Sequence, residues 1–229
     1  DFKLSFEDVK VIASLGLTSF IFQISATIVQ ITSNNLLRTY GAQSVYGSDI
    51  PIAVGGVVSK IFVIFIAVVI GLNQGAQPIL GFNYGAKKYD RIWLGVRECI
   101  KLSLTFAIGI GIILNLFSPL LIRAFVGEGH EEVVELGRLF FLTNGTTYSF
   151  LSLLFIYRYT LQGVGKTFTP TLAGIMELIM RSVAAVVLSN IYGFVGATVA
   201  NPMAWFGSMV PLMIAYYIFK NKVQHGVEQ

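Results

Sequence analysis

A chain of 229 residues that is 55% hydrophobic and 12% charged, with a mean hydropathy of +0.73, falls outside the composition of soluble globular domains, in which about a quarter of residues are charged. The formal charge of +4 comes without any Lys/Arg-rich run beyond the short ends of apolar segments, which argues against a nucleic-acid partner. The single Cys99 rules out a disulfide framework or thiolate metal site, and His130 and His225 stand too far apart for a zinc motif. Apolar runs of about 20 residues or more can cross a hydrocarbon core of about 30 Å, so the chain reads as an all-α integral membrane protein. It starts at Asp1 without an initiator Met or leader pattern, and is expected either to be processed or to belong to something longer.

Residues 1–10 are amphipathic and charged, an interfacial lead-in to a first span from about Val11 to Leu37. Within that span Ser19, Gln23, Thr27, Gln30 and Asn34 recur at helical spacing and share one face. An amide stripe is costly in lipid, so this face is expected to point into the bundle or a cavity. A polar loop, Arg38 to Asp49, leads to a second span from about Ile50, with Pro51 near its first helical position. Lys60 sits on the order of 15 Å inside that span, near mid-depth. The span closes on GLNQGAQPILGFNYGA, Gly71 to Ala86, where Pro78 is expected to break the helix. Its Gly71/Gly75 and Gly81/Gly85 pairs would let neighbouring helices approach.

A third span covers about Ile100 to Arg123, followed by an acidic turn holding Glu128, Glu131, Glu132 and Glu135. The fourth, about Leu136 to Leu161, repeats Asn144, Tyr148 and Ser152 every four residues. The fifth, about Phe168 to Ile191, carries Glu177 and Arg181, and the sixth, about Val195 to Phe219, carries Asn201, Pro202, Trp205 and Pro211. Six crossings with a cytoplasmic start place Lys3, Lys10, Lys87, Lys88, Arg91, Arg97, Lys101, Arg158, Lys166, Lys220 and Lys222 on the cytoplasmic flanks. Only Arg38, Arg123 and Arg138 fall opposite, so both ends are expected in the cytoplasm.

Two motifs are decoys. Gly165-Lys166-Thr167 lacks the earlier glycine and preceding strand of a phosphate loop, and Asn144-Gly145-Thr146 is a glycosylation acceptor inside a predicted span. With no nucleophile elbow, paired-His motif or aspartyl dyad, nothing points to an enzyme.

The strings at 16–20 (GLTSF), 71–92 (GLNQGAQPILGFNYGAKKYDRI), 157–167 (YRYTLQGVGKT), 174–182 (GIMELIMRS) and 200–205 (ANPMAW) together resemble the multidrug and toxic compound extrusion (MATE) transporters. The resemblance covers helices seven to twelve of that twelve-helix family. It implies a six-transmembrane-helix bundle, residues 1–229, forming the C-terminal lobe, with the N-terminal lobe outside this sequence. By the same resemblance the partners are that lobe, the plasma-membrane bilayer and small amphipathic or cationic molecules. These would be exported in exchange for Na⁺ or H⁺ through a cleft opening alternately to each side, with no other cofactor. Thr18 stands where many members have proline, and the regions at 25–27 and 144–159 lack the acids some members use for the coupling cation. A coupling acid is therefore expected in the other lobe.

Gln23, Gln30, Asn144, Tyr148 and Trp205 are the candidates for the substrate cleft. Gln74, Gln77, Pro78, Gly81 and Asn83 read as a hinge and packing motif ahead of direct ligands. Glu177 is the one acid inside a predicted span, four residues before Arg181 on the same face. Burial favours the neutral acid a proton carrier needs, whereas an adjacent guanidinium favours the carboxylate; we read the two as a structural ion pair ahead of a coupling site. Lys60 pairs with Glu177 or an acid of the other lobe, or snorkels, on the simpler reading; on the sharper one its charge helps expel a cation. A flippase of lipid-linked precursors and a non-transporting structural membrane protein are the alternatives.

Overall fold

A computed structural model describes residues 5–43, 47, 49–192 and 194–225. Seven helices follow one another: α1 (Phe6–Ala42), α2 (Asp49–Gly85), α3 (Tyr89–Val126), α4 (Glu131–Gly145), α5 (Tyr148–Gly163), α6 (Phe168–Tyr192) and α7 (Phe194–Gln224). Among the described residues, four helices are long and apolar enough to cross a membrane, and the bent pair α4–α5 counts as a fifth when taken as one broken span. The 37 residues of α1 give it the length for a sixth.

The predicted fourth span is therefore two helices, inclined at 47° to each other. The break falls on Gly145-Thr146-Thr147, where glycine weakens the helix and two hydroxyls compete for its carbonyls. Thr146 Oγ1 donates to the Leu142 carbonyl at 3.1 Å and Thr147 Oγ1 to that of Asn144 at 2.7 Å. Pro78 does the opposite of what the sequence suggests. α2 runs through it without interruption to Gly85, and α7 likewise runs through Pro202 and Pro211. Asn73, Leu80 and Asn83, buried before and after Pro78, anchor the helix across it.

Both α2 and α5 end in the same way. Beyond α2, the Lys88 N–H bonds the Asn83 carbonyl at 2.8 Å and the Lys87 N–H bonds that of Tyr84 at 3.0 Å. Beyond α5, the Lys166 N–H reaches Leu161 at 2.8 Å and the Gly165 N–H reaches Gln162 at 3.0 Å. These paired bonds close a Schellman turn, whose pivot residue must be left-handed. Gly165 takes that conformation freely at φ 79°, while Lys87 takes it at φ 54° with a Cβ to accommodate. The Gly165-Lys166-Thr167 decoy is thus a helix stop.

α5 is the centre of the bundle, packed by α2, α3 and α7, and its residues 154–158 are all buried. α6 and α7 form the most extensive helix pair, and α1 packs on α6 and on α2. A run of stacked rings binds the middle: Phe65 lies 4.3 Å from Tyr148 and 5.8 Å from Phe106, centroid to centroid. The outer faces carry exposed Ile, Leu, Val and Phe on every long helix, as a lipid-facing surface requires.

Candidate functional site

One face of α2 carries Gly55, Val58, Ser59 and Phe62, the spacing that stacks side chains in a row. The small residues in that row leave room, and a cavity of about 120 Å³ opens there. α1 supplies Gln30, Ser33, Asn34 and Leu37; α4 and α5 supply Phe140, Asn144 and Tyr148; α6 supplies Arg181; α7 supplies Asn201 and Trp205. Of the five predicted cleft residues, Gln30, Asn144, Tyr148 and Trp205 therefore meet in one place, although they come from four different helices. The bend between α4 and α5 has not separated Asn144 from Tyr148.

The predicted stripe on α1 is only partly engaged. Gln30 and Asn34 line the cavity from its exposed side, and Gln30 Nε2 donates to Asn34 Oδ1 at 3.1 Å. Gln23 is exposed and does not reach the cavity; its carbonyl accepts from Thr27 Oγ1 at 3.1 Å. The side chain of Ser19 lies outside the described residues. Of the stripe, Gln30 and Asn34 reach the cavity, while Gln23 and Thr27 are exposed.

The inner wall is rigid. Asn144 Nδ2 lies 3.0 Å from the Phe140 carbonyl and 3.2 Å from that of Thr198, tying α4 to the start of α7. Trp205 lies nearly parallel to Phe62, 6° between planes and 5.9 Å between centroids, with Tyr148 at 6.0 Å from Trp205. The stacked rings fill volume that would otherwise enlarge the cavity.

Behind this wall Glu177 has two partners. Arg181 Nη2 donates to Oε1 at 2.6 Å, the predicted i,i+4 pair, and Arg158 Nη2 donates to Oε2 at 2.9 Å. The Arg158 and Glu177 side chains are 5% and 12% exposed, so the carboxylate is held inside protein by charge-assisted bonds on both oxygens. Arg158, counted above among the flanking cations, is thus enclosed by protein and paired with an acid. With α5 beginning anew at Tyr148, residue 158 ends the unbroken buried run 154–158 of that helix. Its signal in the sequence is an arginine among Leu154, Phe155, Ile156, Tyr157, Tyr159 and Leu161, with no polar face to emerge on.

Lys60 is elsewhere. It is exposed, and its Nζ lies 6.0 Å from the ring centre of Phe125, next to the last residue of α3. A lysine side chain leans toward the start of its own helix, so its charge lies away from the level of its Cα. It neither pairs with Glu177 nor lines the cavity.

The glycine- and amide-rich motif lies at the other end of α2 and packs against the end of α5. A Cβ on Gly81 would stand 2.7 Å from the Gly163 carbonyl oxygen, and one on Gly163 would stand 2.9 Å from that of Gln77. Gln74 Nε2 donates to the Tyr159 hydroxyl at 3.1 Å, and buried Asn83 caps the Ile79 carbonyl at 2.8 Å. Gly71, Gly75 and Gly85 meet nothing within 4 Å, so only one glycine of the two predicted pairs brings helices together within this chain. A second contact of the same kind, Gly111 against the Gly145 carbonyl, joins α3 to α4.

Comparison with known proteins extends these observations. The family described as MatE matches residues 42–187. The probable multidrug resistance protein YoeA of Bacillus subtilis (strain 168) is 24% identical over 216 residues, covering 86% of this chain and 44% of its own. Among solved structures, a MATE in complex with MaL6 superposes with a TM-score of 0.87 at 17% identity, over 98% of this chain and 49% of that one. A MOP superfamily transporter from Pyrococcus furiosus, described as having a binding pocket of reverse polarity, gives the same TM-score, identity and coverages. The chain spans about half the length of these relatives.

Proposed function

The chain belongs to the MatE family, and we propose on that footing that it forms the C-terminal half of a two-lobed secondary transporter that exports amphipathic small molecules. The observation that carries this reading is the cavity. Four residues singled out as cleft candidates from the sequence converge on it, and its α1 side, with Gln30 and Asn34, is left exposed by this chain. An amide-bearing face open to lipid would be costly, so a second lobe is the natural cover. Transport would proceed by rocking one lobe against the other in antiport with Na⁺ or H⁺. Both ends of this half would lie in the cytoplasm; without Arg158, ten of the eleven flanking cations remain on that side.

Glu177 is a positioning residue in this scheme. A proton or sodium ion reaching its carboxylate would have to displace two guanidinium partners, so the coupling acid is assigned to the other lobe. The polar face of α1 and the cavity also set this reading against a purely structural membrane protein, whose polar groups would be sealed between helices. The test is efflux from liposomes loaded with cationic, neutral and anionic dyes, driven by a sodium or pH gradient. The two-lobed protein should move at least one dye class, and this chain alone should move none. Ion-coupled efflux by the chain alone would overturn the proposal.

A further inference from the structure

The charge of the cavity wall narrows the class of compound. Arg181 is the one charged side chain among the described lining residues, which otherwise offer amides, hydroxyls, small residues and rings. Glu177 does not line the cavity, and its two oxygens are divided between Arg158 and Arg181, so it presents no free carboxylate edge to a ligand. Arg181 gives one Nη2 bond to Glu177, and its side chain, 16% exposed, lines the cavity. A guanidinium has five donors in a planar fork, so this one keeps donors to spare beside the cavity. Phe62 and Trp205 stack on each other, so each has one of its two cation-holding faces covered.

We propose that this cavity receives an amphipathic organic anion, a carboxylate or similar singly charged group docked at Arg181 with its apolar body against Phe62 and Tyr148. The proposal rests on the reading of the cavity as part of a substrate cleft. A guanidinium and neighbouring amides suit a flat, singly charged acceptor, which Arg recognises with two parallel bonds. A lipid-linked diphosphate would want several cations, whereas Arg158 is engaged with Glu177 behind the wall and Lys60 is turned away to Phe125. The small volume and open α1 side fit an aromatic or branched acid better than a bulky polyanion.

Phenylacetate and benzylamine carry the same ring and methylene with opposite charge, and test the proposal by calorimetric titration of the two-lobed transporter in nanodiscs. Phenylacetate should bind at least about tenfold more tightly. Arg181→Gln should abolish that preference, and Arg181→Lys should retain part of it, since charge survives but the fork does not. Arg181→Gln also disturbs the Glu177 cluster, so Ser59→Asp at the cavity wall provides an independent arm; it should weaken phenylacetate by about tenfold and strengthen benzylamine. Equal or tighter binding of benzylamine to the unmodified protein would overturn the charge preference and leave the cleft intact. Binding of neither probe would remove the cavity as a ligand site, and the transport reading of it as well.

Discussion

The two ends of α2 put the same helix to opposite uses. Toward its start, Gly55 and Ser59 leave a hollow that side chains from five other helices surround; toward its end, Gly81 brings the backbone of α2 against that of α5 at Gly163. Glycine makes space in one place and removes it in the other. What decides is the neighbour: a backbone carbonyl stands opposite Gly81, and the end of a leucine side chain, Leu37, opposite Gly55. A recognisable string in a sequence therefore marks a constraint on the backbone before it marks a binding site. The most distinctive stretch of this chain is a clamp, and the cavity is built from less conspicuous residues.

That contrast can be broken by mutation. The largest effect is expected behind the cavity, where Glu177→Gln leaves two buried guanidinium groups facing a neutral amide and should cost about 3–5 kcal/mol. It would appear as a lower unfolding temperature or loss of monodisperse protein in detergent. Unchanged stability would show that the arginines find other anions. At the clamp, Gly81→Ala sets a methyl against the Gly163 backbone and should cost about 1–3 kcal/mol, measured by equilibrium unfolding in mixed micelles. A neutral outcome would mean α2 and α5 separate easily there.

Smaller gains should sharpen the picture. Lys87→Gly relieves a left-handed residue at the helix stop and should stabilise by about 1 kcal/mol in the same unfolding assay, whereas Gly165→Lys at the matching stop of α5 should destabilise by a similar amount. Gly75→Ala, six residues before Gly81, meets open space and should stabilise this chain by about 0.5–1 kcal/mol through helix propensity. If Gly75→Ala instead harms the two-lobed protein alone, that glycine is a contact for the second lobe.

The legible and illegible parts of the molecule divide by sequence distance. Helical periodicity exposed the α1 stripe, and the i,i+4 spacing of Glu177 and Arg181 exposed their bond, because both are properties of one helix. Arg158 lies 19 residues from Glu177 on another helix, and Gly163 lies far beyond Gly81, so neither partnership leaves a local trace. The bend at Gly145 to Thr147 was hidden because an apolar run continues across it; only the hydroxyl pair gave a hint. Pro78 misled in the other direction, since a proline's local preference was overridden by packing along the whole of α2. Lys60 shows the same limit, since the Phe125 ring beside its charge belongs to another helix.

Glu177 reaches across from α6 to an arginine of α5 and so fastens those two helices by attraction between ions. Such a joint weakens only in inverse proportion to separation in a poorly polarisable interior, whereas the glycine contact at the far end of α2 fades within about an ångström of parting. One connection behaves as a spring and the other as a snap fit. A small separation of α5 from α6 would therefore weaken that joint less than the same separation would weaken the clamp.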